Sequence, residues 1–294
     1  MNNKKNISHF SFLIFHLFIV LSLLVVSCST TKKNPGDIDI LRNQAEAWLE
    51  SGTKEAAQGK FDNALSILTE TKRNAILADN HSLIVRVCMA RGNVLYSLGR
   101  TDDAFNEWTQ AIAEAVLSKD AELLSISKIY MAKGNLISEK LSAKSILDEV
   151  NRERTNLTKN RLYTAFSWQV TGLAQRALGS YSDAEASFRR SLEIHEKNSY
   201  LENASYDWFV IASIRSMSGN TQGAIQALES SITYDRRIEN SWGLAASYRA
   251  MGDVYKKMGK QKEAAQAYGR SRGIYAAMRN DSEVAEIDRR MREL

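Results

Sequence analysis

The chain has 294 residues, a formal net charge of +5, two cysteines and one proline. Two cysteines exclude a disulfide framework, and a single proline at position 35 leaves the rest of the chain free of its strongest helix breaker. Abundant Ala, Leu, Glu, Lys and Ser then argue an all-α body. Lys4 and Lys5 fall in a segment expected to be removed. That leaves 37 of the 39 basic residues against 34 acidic ones, about +3, with no basic block of the kind that tracks nucleic acid.

Met1 to His9 is short and basic, and Phe10 to Val26 is apolar without a charge, ending in LVVSC. Residues 1–27 read as a secretory signal. At about 17 residues, interrupted by Ser11, His16 and Ser22, the apolar run is short for a membrane span; an uncleaved anchor is the alternative. Val25, Val26 and Ser27 before Cys28 resemble the bacterial lipoprotein box. The resemblance implies a lipid such as palmitate on Cys28, which becomes the first mature residue. It also implies, with Ser29 rather than Asp next, an outer-membrane anchor facing the periplasm. Residues 28–39 then read as a polar tether holding Pro35 and Gly36, with a reach of about 35 Å.

The body reads as helices. The first spans about 40–58 around Trp48 and is followed by 61–79, 82–98 and 102–118. A ladder of small and bulky residues recurs along them: Gly52, Gly59, Ala64, Leu68; Gly92, Gly99, Ala104, Trp108; Gly172, Gly179, Ala184, Phe188; Ala212, Gly219, Ala224, Leu228; Gly252, Gly259, Ala264, Tyr268. A blurred copy surrounds Gly134, so the intervals from Gly52 to Gly252 are 40, 42, 38, 40 and 40 residues. In the blurred unit Leu141 stands where a turn glycine is expected and Ile146 where an alanine is, which predicts a bend or a rebuilt turn. The charged run 151–161 reads as a helix end with a solvated face. HEKNSYLENASY and DRRIENSWGLAA, starting at His195 and Asp235, read as polar linkers. Residues 281–294 predict a capping helix, started by Asp281 or Ser282, with Val284, Ile287 and Met291 as its apolar stripe.

A fixed period in this range marks a stacked repeat protein. The pattern resembles the tetratricopeptide repeat (TPR) family over residues 41–280, with units of 40 residues in place of about 34. The resemblance implies a right-handed α-solenoid of six antiparallel helical hairpins over 40–280, first helices lining a concave face where ligands lie. Carried over position by position, the groove residues are Met89, Asn93, Met131, Asn135, Phe166, Gln169, Tyr206 and Phe209, followed by a charged end at Arg249, Lys256 and Lys257. Asn93 and Asn135, with Lys128 nearby, match part of the family's clamp for a peptide C-terminal carboxylate. Met89 and Met131 replace its basic residues, so the clamp is incomplete.

No catalytic constellation assembles. After the signal the histidines are His81 and His195, far apart in sequence, with His195 expected at a helix end facing water. Cys88 reads as a buried small hydrophobe. No paired-cysteine or paired-histidine metal motif occurs, and no cofactor is expected. The expectation is a non-enzymatic, membrane-tethered scaffold that binds a peptide segment of another envelope protein, in assembly, secretion or envelope maintenance. The alternative is a module for a small-molecule or lipid ligand associated with a transporter. A closed apolar channel would favour the alternative, a flat open groove the scaffold.

Overall fold

A computed structural model describes residues 35–294; the segment 1–27 expected to be a signal, and Cys28, lie outside the described residues. Thirteen helices make up the described chain: α1 Pro35–Ala57, α2 Phe61–Leu77, α3 His81–Ser97, α4 Thr101–Ser118, α5 Ala121–Ile137, α6 Ala143–Arg154, α7 Arg161–Ala177, α8 Tyr181–Lys197, α9 Leu201–Met217, α10 Thr221–Arg237, α11 Ser241–Lys257, α12 Gln261–Ala277 and α13 Asp281–Arg292. Consecutive pairs from α1/α2 to α11/α12 form six hairpins, each packed on the next, and α13 packs on α12. Residues 35–39, expected in the tether, belong to α1. Proline is well suited to that first helical position, where no N–H is needed.

The repeat is more regular than the glycines suggest. From Phe61 onward a helix starts every twenty residues, with α6 as the exception. The turn inside each hairpin holds one left-handed residue: Gly59, Gly99, Gly179, Gly219 and Gly259, with Glu139 at φ 54° in the third. Between hairpins the same role falls to Asp79, Lys119, Ser199, Glu239 and Arg279. Both series advance in steps of forty or a multiple of it, so the period does not stretch and shrink around Gly134. The residue matching Gly92 and Gly172 is Ala132, fully buried. Gly134 serves another purpose. A Cβ there would run into the indole of Trp108, as would one on Gly92.

The third hairpin carries a rebuilt turn rather than a missing one. Ser142 caps α6 by accepting the Ser145 N–H at 3.2 Å, and Ile146 and Val150 are fully buried. Of the charged run 151–161, Asn151 to Arg154 finish α6, and Thr155 to Asn160 form the connection to α7. The polar linkers expected at His195 and Asp235 shrink to three residues each, Asn198–Tyr200 and Ile238–Asn240. In α13, Asn280 supplies the cap by accepting the Glu283 N–H, not Asp281 or Ser282. Ile287 is buried against Tyr268 and Tyr275, with Val284 and Met291 beside it.

The ladder is where two helices of a hairpin cross. A Cβ on Gly172 would stand 2.5 Å from the Phe188 ring and 3.1 Å from the Ala184 carbonyl oxygen, and Ala184 and Ala264 have no exposed surface. Leucine at either alanine has no room and is expected to lower stability by roughly 1–3 kcal/mol. A thermal melt left unchanged by both substitutions would overturn this assignment.

The concave side is closed where the first and sixth hairpins meet. Gly59 lies against Trp242, so that a Cβ on it would come within 2.6 Å of the indole. The Phe61 and Trp242 rings meet edge to face at 6.0 Å, and Trp242 meets Tyr275 the same way at 5.6 Å.

Candidate functional site

Two adjoining hollows open on the concave side. The first, about 520 Å³, lies between α1, α3, α5 and α7 and is lined by Glu46, Arg86, Met89, Asn93, Tyr130 and Tyr163. Glu46 and Arg86 pair across its wall at 2.7 Å. The second, about 750 Å³, shares Tyr130 and Tyr163 with the first and continues along Phe166, Gln169, Tyr206, Phe209 and Trp242. Thr53 and Ala57 of α1 close its far side. Six aromatic side chains therefore face this larger cavity. The Tyr130 and Phe166 rings stack at 4.2 Å, and the Lys133 ammonium sits 5.4 Å from the centre of the Phe166 ring.

Six of the eight expected groove residues are brought together here. Met89 and Asn93 line the first hollow, and Phe166, Gln169, Tyr206 and Phe209 line the second. Met131 and Asn135 line neither. Met131 instead packs against the buried cluster of Leu95, Ala104 and Trp108. The cause is the two-residue offset at Gly134: in the forty-residue register, the positions matching Met89 and Asn93 are Ile129 and Lys133. Ile129 is fully buried, and burial pulls the Lys133 ammonium below its ordinary pKa. At the charged end, Arg249 lines the second hollow but pairs with Glu283 at 2.5 Å. Lys256 reaches Glu293 at 3.3 Å, and Lys257 donates to the Ser216 carbonyl.

Beneath the aromatic walls lies a polar layer that the sequence conceals. His195, expected to face water, is 1% exposed, and its Nδ1 lies 2.7 Å from the Asp207 carboxylate. Gln169 Nε2 donates to the other Asp207 oxygen at 2.7 Å. Burial pushes the Asp207 carboxyl above its ordinary range, against the opposing pull of His195 and Gln169. One unit further on, Ser205, Ser231 and Ser247 form a chain of hydroxyls 3.1 Å apart. Asp235 sits beside them, its carboxyl pushed up to about 6, chiefly by burial. The Glu202 carboxyl, on the cavity rim, is also raised by burial, with Lys54 of α1 acting against the shift. The clue in the sequence is the recurrence of His195, Asp235 and Tyr275 at one repeat position.

Away from the cavity, His81 Nδ1 meets Glu114 at 2.7 Å. Cys88 is fully buried, and its thiol is pushed up to about 12 by that burial. Among the described residues no three His, Cys, Asp or Glu side chains gather where a metal ion could be held.

No family model matches the chain, and no curated protein matches it either. Solved structures do. A Rap protein complexed with Competence and Sporulation Factor is 15% identical, with a TM-score of 0.59 over 85% of this chain and 74% of that one. BtubC from P. vanneervenii is 13% identical, with a TM-score of 0.55 over 76% and 92%. A tetratricopeptide repeat protein from Parabacteroides merdae is 15% identical, with a TM-score of 0.51 over 87% and 84%. Helical hairpins stacked in this way form a repeat solenoid, and its build is that of the tetratricopeptide repeats.

Proposed function

We propose that this chain is a binding protein, not an enzyme. It takes a peptide segment of an envelope protein into its concave side and is held at the outer membrane, facing the periplasm, by a lipid on Cys28. One observation carries the binding reading: a cavity of about 750 Å³ walled by six aromatic side chains, with amide and carboxylate groups at its floor. Aromatic walls grip side chains, and amides suit the exposed backbone groups of an extended segment. The structurally similar Rap protein was solved in complex with Competence and Sporulation Factor, which supports a binding role for a solenoid of this build. The contact of Gly59 and Phe61 with Trp242 gives some support to the second reading, a compact small-molecule or lipid ligand passed to a transporter. A cavity bounded at that end suits such a ligand better than a long peptide.

Photo-crosslinking in a bacterial host tests the first reading. Tyr206→Ser and Phe209→Ser should each lower recovery of a crosslinked envelope protein about tenfold, while Asn135→Ala, outside the hollows, leaves it unchanged. Full recovery from both cavity variants, with melts intact, would overturn the concave site. Recovery of a lipid or small molecule in place of a protein supports the second reading. Cys28→Ser should move the protein out of the detergent phase; a variant that still partitions there, with unchanged precursor processing, overturns the lipid anchor.

A further inference from the structure

Asp235 lies at the end of α10, 1% exposed, on the floor of the larger cavity. Its Oδ1 accepts from Asn240 Nδ2 at 2.9 Å. Its Oδ2 is buried and accepts from no group of the protein. A buried carboxylate oxygen without a donor is costly; the Ser205 and Ser231 hydroxyls lie near enough to pull the Asp235 carboxyl down, yet neither makes a hydrogen bond to Oδ2, and both are engaged with each other. The Ser231 hydroxyl lies between those of Ser205 and Ser247, and Ser231 also donates to the Ser205 carbonyl. Arg249, the cation lining the cavity, is committed to Glu283. The charged group that acts on Asp235 is Glu202 from α9, of the same sign. Gly243 makes the place for this carboxylate: a Cβ on it would run into Asp235 Oδ1.

The preceding unit shows how the same fold satisfies a buried carboxylate internally. There Asp207 has His195 on one oxygen and Gln169 on the other. The place of His195, forty residues on, is that of Asp235 itself, and the place of Asp207 is held by Ser247. The carboxylate has changed sides of the contact, and the side chain that would balance its charge is gone. Above it stand Tyr206, Phe209 and Trp242, whose ring faces attract cations.

We infer that this cavity binds a protonated amine, its ammonium group directed at the Asp235 carboxylate and its apolar body resting on Tyr206, Phe209 and Trp242. The inference rests on the reading of the concave cavity as the binding site, and it names the chemistry that the site selects. The amine has two possible sources, the free α-amino end of a peptide segment or a small arylalkylamine.

Calorimetric titration of the folded chain at pH 7.5 tests it with four probes: phenethylamine, its acid counterpart phenylpropionate, the pentapeptide amide FAAAA with a free amino end, and the same peptide N-acetylated. Phenethylamine should bind saturably and phenylpropionate should not. The free peptide should bind at least tenfold tighter than the acetylated one. Asp235→Asn should weaken both amines at least tenfold while its thermal melt stays at or above that of the parent, since a buried charge is removed without changing shape. Equal binding of phenylpropionate and phenethylamine, undiminished binding to Asp235→Asn, or no saturable binding of either amine would overturn the inference. Binding of phenethylamine with neither peptide retained would keep the amine site and remove the peptide reading.

Discussion

Trp108→Ala is expected to lower the stability of the fold by about 3–5 kcal/mol, as the loss of a large buried aromatic does where neighbours cannot collapse into the space. The indole is 2% exposed. It meets Phe105 edge to face at 5.4 Å and Tyr96 at 5.9 Å. Two glycines flank it, Gly92 on α3 and Gly134 on α5, and a Cβ on either would run into the ring. The substitution therefore has a second consequence that simple loss of packing does not. In the parent chain Gly92→Ala and Gly134→Ala are each destabilising, by roughly 1–3 kcal/mol of overpacking. In the Trp108→Ala background the clash is gone, and each should become neutral or stabilising by up to about 1 kcal/mol, the gain of alanine over glycine inside a helix. Denaturant melts of the four-member cycles read this directly. A cost for Gly134→Ala that is the same in both backgrounds would show that Trp108 is not what the glycine accommodates.

This indole also explains how the sequence misleads. Gly134 looks like the ladder glycine of a drifting repeat because glycine stands at that place in four of the other units. In the fold it answers the bulky residue of the preceding hairpin, and the true ladder position is Ala132. A lone alanine two residues before a glycine gives no signal of its own, and the left-handed residue seven positions on is Glu139, not glycine. The two-residue offset then carries Met131 and Asn135 out of the groove and leaves Lys133 unnoticed. Where ladder glycine, turn glycine and crossing alanine all stand in place, as in Gly172, Gly179 and Ala184, register and groove residues were legible together. Phe166, Gln169, Tyr206 and Phe209 follow from that register.

The polar layer was hidden for a different reason. His195 and Asp235 begin the two stretches that read most plainly as linkers, because helix ends and short turns share one composition. Periodicity places His195 and Asp235 at one repeat position but does not show that the position is buried, because the partners come from other helices. The contact between the first and sixth hairpins is likewise a property of the accumulated rotation of the stack. No local pattern around Gly59 or Trp242 encodes it, although glycine at 59 permits the close approach.

Asp207→Ala is expected to cost about 3–5 kcal/mol, because it strips one partner from a buried, hydrogen-bonded pair. The carboxylate has no exposed surface and joins three helices: Gln169 of α7, His195 of α8 and its own α9. Removing it leaves the His195 ring and the Gln169 amide buried without it; the imidazole keeps Ser191, 3.4 Å from Nδ1, as a polar neighbour and the Tyr200 ring at its edge. Asp207→Asn should cost far less, since an amide can accept from Gln169 and donate to a neutral imidazole. The pH dependence separates charge from shape. Burial raises the carboxyl of Asp207, and raises that of Asp235 to about 6, so the folded chain holds these protons more tightly than the unfolded chain does. The stability they contribute is complete below about pH 4, where an unfolded aspartate still keeps its proton, and it is lost as the pH rises through the raised values. The parent chain should therefore melt higher at pH 5 than at pH 7.5. Asp207→Asn and Asp235→Asn should each flatten that slope, whereas Ala184→Leu lowers the melt equally at both values. A parent melt that does not change between pH 5 and 7.5, or an Asp207→Ala chain as stable as the parent, would mean that the buried pair does not join these helices as described.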